Sequence, residues 1–245
     1  MSPLFFYMAL ALHEQFLQTL ERAKRPIIVL PLCATPDDFA SAYGIGALLH
    51  KLQKPIEIAT SGGRVPKSIE FLSCPTVVRG DFPNIRKLTL SVNAKSAQID
   101  ELSYETVGDE LRIHLIPKTG AWNHDDVKIS TTEYRYDLII TIGAADLESL
   151  GILYTNYTDF FFATPIINID HNPKNEHYGA INLVDVSAVS CSEVCHELFI
   201  QLDPGLVDSE VATFFLTGMI HKTKSFRGST VTPKTLKTAS DMIAR

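Results

Sequence analysis

Four apolar runs constrain what this chain can fold into. They read PIIVLPL (26–32), PIEIAT (55–60), YDLIITIG (136–143) and TPIINID (164–170). Their apolar cores are short and rich in Ile, and three of the runs are continuous rather than alternating. A strand that is apolar on both faces must be covered on both, as in a parallel sheet held between helix layers. Other segments carry apolar residues at helical spacing: SAYGIGALLHKLQ (41–53), SCSEVCHELFIQL (190–202) with Ser190 as its N-cap, and SEVATFFLTGMIHKTKSF (209–226). The residues before Arg245 also read as helix. Alternation of strand and helix predicts an α/β fold with a doubly wound, mainly parallel sheet.

The rhythm changes between residues 86 and 130. KLTLSV and ELSYETVGDELRIHLIP alternate apolar with polar residues, and GDE between two such runs is a hairpin turn signal. This stretch is expected to be a β-rich, antiparallel, half-exposed insertion within a single domain spanning 1–245. The N-terminal PLFFYMALAL is expected to run on through HEQFLQTLERAKR as a first helix. It is too short to span a bilayer and lacks a basic flank or small-residue cleavage site, so no membrane association is expected.

The chain carries 22 Lys and Arg against 28 Asp and Glu, a net charge of −6, without a long basic stripe. Strong nonspecific nucleic-acid binding is therefore not expected, although a short nucleotide could still bind locally. The four cysteines, Cys33, Cys74, Cys191 and Cys195, form no CxxC pair, which fits a reducing, cytoplasmic location.

In open α/β sheets, ligands bind at the carboxyl ends of the strands. Three strand ends here carry polar residues: CATPDDF after the first run, GAAD after the third and DHN after the fourth. DHNPKNEHYGAINLVD (170–185), preceded by PIINI, resembles the third motif of the DHH phosphoesterase superfamily. PLCATPDDFASAYGIGALLHKL resembles the family's first motif, DLIITIGAADLESLG its second, and LTGMIHKTKSFRGSTVTPKTL its fourth. The match covers most of the chain outside 86–130, in the right order.

The resemblance implies the DHH fold and a phosphoesterase site in which two Mn²⁺ ions activate a hydroxide and clamp the phosphoryl oxygens. Carried over residue by residue, much of that site is missing. Asp37, Asp170 and His171 remain as metal ligands. Cys33 replaces a His, Phe39 an Asp, Gly143 the bridging Asp, Asn172 the second His and Lys222 the last metal-binding Asp. The family's closing C-terminal domain, with its Gly-Gly-Gly-His motif, is expected to be absent.

The favoured expectation is a catalytically impaired relative that binds a nucleotide, another phosphate-bearing small molecule or a protein partner, or that assembles as a homo-oligomer. The alternative is a phosphoesterase active on short nucleotides through a reduced or relocated Mn²⁺ site, with Asp146 as the relocated ligand. His171 and Asn172 are the candidate catalytic groups. Asn172, Asn175 and Lys222 are the candidate substrate contacts. The cofactor is Mn²⁺ or none.

Local structural roles compete with these. Asp38 could stand in for its lost neighbour, although adjacent residues point differently. Asp37 could cap the helix starting near Ala40, Asp170 could hold loop amides, and His171 could bond a backbone carbonyl. The Ser-Gly-Gly at 61–63 could turn around a phosphate. Lys222 is expected to fill the vacated metal position and neutralise Asp37 and Asp170.

Overall fold

The computed structural model describes residues 10–73, 76–82, 85–130 and 133–245. Residues 1–9, the start of the expected first helix, and Cys74 lie outside that set. Helix α1 covers Leu12–Arg22 and buries Phe16 and Leu20. Strand β1 (Pro26–Val29) follows, buried along its whole length. Helix α2 (Pro36–Lys51) starts five residues earlier than its apolar spacing suggests. Thr35 caps it and Pro36 occupies its first turn, where a missing N–H costs nothing.

Strands β2 (Ile58–Ala59) and β3 (Val78–Arg79) are only two residues each. After residues 84–135 come β8 (Leu138–Ile142), the short helices α3 (Ile152–Asn156) and α4 (Thr158–Ala163), then β9 (Ile166–Asp170) and β10 (Ile181–Val184). Helices α5 (Cys191–Leu202), α6 (Ser209–Lys222) and α7 (Pro233–Ile243) complete this unit. Ser190 caps α5, as its position predicts, by accepting from Glu193 N.

Six strands form one fully parallel sheet in the order β10-β9-β8-β1-β2-β3. The order runs outward from the β8–β1 pair in both directions, so a crevice opens between the carboxyl ends of these two strands. This is the topological switch point where such sheets place ligands. Phe39, Leu49, Ile140, Cys195, Phe199 and Phe215 are among the side chains of one continuous core. The expected doubly wound, mainly parallel sheet is thus the observed one.

Residues 84–135 form a separate compact unit. Strand β4 (Thr89–Val92) pairs antiparallel with β7 (Val127–Ser130), a partnership the sequence did not suggest. Strands β5 (Ala97–Val107) and β6 (Glu110–Gly120) form the expected hairpin. Its two-residue loop starts at Gly108 with φ 61°, and Asp109 stays out of the left-handed region, the pattern of a type II′ turn. Among the described residues, no helix is long and apolar enough to cross a membrane.

Candidate functional site

The loops after β1, β8 and β9 meet at the crevice. After β1, Thr35 and Asp38 form a reciprocal capping box. Asp38 N donates to Thr35 Oγ1 at 3.4 Å, and Asp38 Oδ2 accepts from Thr35 N at 2.7 Å and Thr35 Oγ1 at 2.8 Å. The helix cap is therefore Thr35, not Asp37. The carboxylate of Asp37 instead reaches the N-terminus of α5, accepting from Cys191 N (2.8 Å), Ser192 N (3.1 Å) and Ser192 Oγ (2.6 Å). A helix N-terminus attracts anions, and here the anion is the protein's own buried carboxylate. Gly218 on α6 permits this crowding, because a Cβ there would lie 2.0 Å from Ser192 Oγ.

The second strand end explains where the other carboxylate goes. Gly143 has φ 70°, a left-handed conformation, and a Cβ on it would lie 2.1 Å from Asp38 Oδ1. The volume in which a side chain at 143 would start is thus filled by Asp38. Adjacent carboxylates do point differently, as expected: Asp37 to α5 and Asp38 to Gly143. Burial, and secondarily the charge of Asp37, raises the Asp38 carboxyl to about 7.

The third strand end is a tightly bonded turn. Asp170 Oδ1 accepts from His171 N (2.7 Å) and Asn172 N (3.1 Å), so this aspartate does hold loop amides. Its Oδ2 accepts from Asn175 Nδ2 at 2.8 Å. Asn175 is buried and also bonds Asn168, the Ala144 carbonyl and His177 N, which commits its side chain to the loop. Asn172 is half-buried, and its Oδ1 accepts from Lys174 N. The His171 ring hydrogen-bonds the Ala188 backbone, and burial with the nearby Lys222 charge lowers its pKa, keeping the imidazole neutral.

The remaining sequence candidates lie as follows. Lys222 ends α6 and is exposed. Among the described residues it forms no ion pair with Asp37 or Asp170, so the expected direct counter-ion contact is absent. Its charge still reaches the cluster, lowering the pKa of both Asp38 and His171. Asp146 accepts from Ser149 N at 2.7 Å, holding its own turn. Phe39 is buried in the hydrocarbon core, Cys33 is exposed, and the 61–63 turn is closed by Thr60.

Two features had no clear sequence signal. Cys191 enters the site: one ligand atom each from Asp37, His171 and Cys191 lie within 4.8 Å of one another. The loop after α6 also puts three consecutive non-glycine residues, Lys224, Ser225 and Phe226, in the left-handed region. Ser225 N bonds the Ile220 carbonyl and Lys224 N the His221 carbonyl, a Schellman ending with lysine where glycine is usual.

A manganese pair does not fit these donors. Gly143, which the resemblance sets at the bridging carboxylate, has no side chain, and the carboxyl beside it, Asp38, is held in a helix cap and disfavours its charged form. Asp37 already accepts three hydrogen bonds. The oxygen, nitrogen and sulfur donors of Asp37, His171 and Cys191 suit one softer ion better than two hard ones. Burial pushes the Cys191 thiol well up, so a metal there would have to displace its proton.

Fold and strand-end motifs together define a relative of the DHH phosphoesterases. Over 80 residues the chain is 34% identical to the bifunctional oligoribonuclease and PAP phosphatase NrnA of Bacillus subtilis, covering 32% of this chain and 26% of that protein. It is 30% identical over 122 residues to a probable NrnA of Streptococcus mutans, covering 49% and 36%. Against NrnA of Thermus thermophilus it is 32% identical over 78 residues, covering 32% and 24%. The chain thus aligns with about a quarter to a third of the length of these curated relatives. In fold it is similar to an exopolyphosphatase-related protein from Bacteroides fragilis, with a TM-score of 0.63 and 15% identity over 98% of this chain and 58% of that one. No family model matches the chain.

Proposed function

We propose that this DHH-type domain has lost two-metal hydrolysis and binds a nucleotide or another phosphate-bearing small molecule without cleaving it. The observation that carries the reading is the Asp38–Gly143 contact. A phosphoryl-transfer site of the two-ion kind needs an oxygen shared by both ions. Here a protonatable carboxyl occupies the room in which that ligand would begin. Around the crevice, the Lys222 ammonium and the amide of Asn172, which donates no hydrogen bond among the described residues, supply contacts suited to a phosphate, with the neutral His171 ring beside them.

The test pairs turnover with binding. With Mn²⁺, the protein should release no product from short oligoribonucleotides, 3′-phosphoadenosine 5′-phosphate or pyrophosphate above a no-protein control. Calorimetry should detect binding of a nucleoside phosphate without added metal, weakened severalfold by Lys222→Ala. Mn²⁺-dependent turnover that disappears in His171→Ala would overturn the reading.

The Asp37, His171 and Cys191 trio favours a second reading, a phosphoesterase working through a single ion. Metal analysis after dialysis against Mn²⁺ or Zn²⁺ separates the two. One ion per chain, lost in His171→Ala together with activity, supports the second.

A further inference from the structure

The hairpin β5–β6 stands outside this functional reading, and its side chains are sorted by face. Leu102 lies opposite Leu115, Tyr104 opposite Ile113 and Thr106 opposite Leu111. Side chains alternate along a strand, so these six share one face. The other face pairs Ser103 with His114 and Glu105 with Arg112. It is mainly polar, with His114 Nε2 3.4 Å from Glu105 Oε1, and Val107 and Ile116 are its apolar members. The apolar face is largely exposed: Leu102 is 65% exposed, Tyr104 75% and Leu111 64%, while Leu115 is half-buried. An isolated two-stranded ribbon is marginal in water, and a contiguous apolar patch of this kind marks an interaction surface.

We propose that this face docks against the same face of a second copy of the chain. Charge is the first argument for that occupant. Residues 84–135 hold seven Lys and Arg and eight Asp and Glu, so the segment is nearly neutral within a chain of net charge −6. Two copies can therefore meet here without the repulsion carried by the remainder. A nucleic acid or an anionic bilayer would need a basic face, which is missing.

Symmetry and size are the second argument. An interface about a two-fold axis uses one patch twice, and an apolar ribbon face can pack on its own copy. Covering the six side chains of this face, at about 60–120 Å² each, removes about 500 Å² per copy from water. The total of about 1,000 Å² reaches the lower limit for a specific interface. The dimer is therefore expected to be reversible, with a micromolar Kd.

Sedimentation velocity on the full chain from 1 to 200 µM tests this. The wild type should shift with concentration from the 27.2 kDa chain toward twice that mass. Tyr104→Lys with Ile113→Lys puts two charges on the apolar face and should raise the dimer Kd at least 100-fold. Ser103→Lys with His114→Lys puts two lysines at an opposed pair on the polar face and should leave it within threefold. Far-UV circular dichroism and Trp122 fluorescence establish that each variant is folded. A wild type that stays monomeric at 200 µM overturns the proposal. So do two variant pairs that behave alike.

Discussion

Replacing Gly143 with alanine probes the contact on which the site reading depends. Two costs arise. A left-handed φ of 70° costs an L-residue about 1 kcal/mol. The new Cβ would also lie 2.1 Å from Asp38 Oδ1. Asp38 must then swing away, but its other oxygen is tied to Thr35 N and Oγ1. Breaking that capping box costs about 1–2 kcal/mol more, so the total should be about 2–3 kcal/mol. In an Asp38→Ala background the clash disappears and only the backbone cost of about 1 kcal/mol remains. The coupling in the cycle should therefore be about 1–2 kcal/mol. Urea unfolding followed by far-UV circular dichroism measures it. Fluorescence of the single tryptophan, Trp122, tracks residues 84–135 separately. Additivity within about 0.5 kcal/mol would refute the claim that Asp38 occupies the room beside residue 143.

Three further outcomes follow from the same geometry. Asp38 titrates near 7 in the folded chain and at its ordinary value of 3.8 when unfolded. The folded state therefore holds a proton that the unfolded state releases, and stability should fall as pH rises from about 4 to 7, then level off. Asp38→Asn should remove this slope and gain a few kcal/mol at most at pH 8, as read from denaturation midpoints across pH; an unchanged slope would contradict it. Asp37→Asn weakens three charge-assisted bonds at the start of α5 and should cost about 2–4 kcal/mol. Amide exchange at Cys191 and Ser192 should accelerate with it, and unchanged protection there would count against the capping role. Lys222→Ala should change stability by no more than about 0.5 kcal/mol, since the ammonium is exposed and makes no ion pair among the described residues. It should raise the His171 titration midpoint seen by NMR, because Lys222 holds that pKa down.

The parts of the fold that burial dictates were legible in the sequence. β1, β8 and β9 are buried on both faces, and a continuous apolar run is their direct signature. The β5–β6 hairpin announced itself through alternation and its Gly-Asp turn. β3 did not, because two residues carry no period. The β4–β7 ladder was missed because its partners flank the whole hairpin and each is only four residues long. At the site, Asp37, Asp170 and His171 could be named from strand-end position and resemblance. Their partners could not. The Asp37 contact to Cys191 spans 154 residues. That Asp38 rather than water fills the space beside Gly143 depends on side-chain direction, which no residue pattern encodes. Lys222 was expected to contact both carboxylates, yet it is exposed and forms no ion pair with them among the described residues.

The strand order has a consequence for the newly made chain. β1 lies between β2 and β8, and Pro26 stands opposite Leu138. During synthesis, β1 and β2 emerge well before β8 exists. One edge of the most apolar strand therefore waits, unpaired, while the whole 84–135 segment is translated. At roughly 5–20 residues per second that interval lasts several seconds or longer. An Ile-rich edge open for that time invites pairing with another nascent chain. Yield on expression should thus depend on translation speed and chaperone supply more than on the stability of the finished fold.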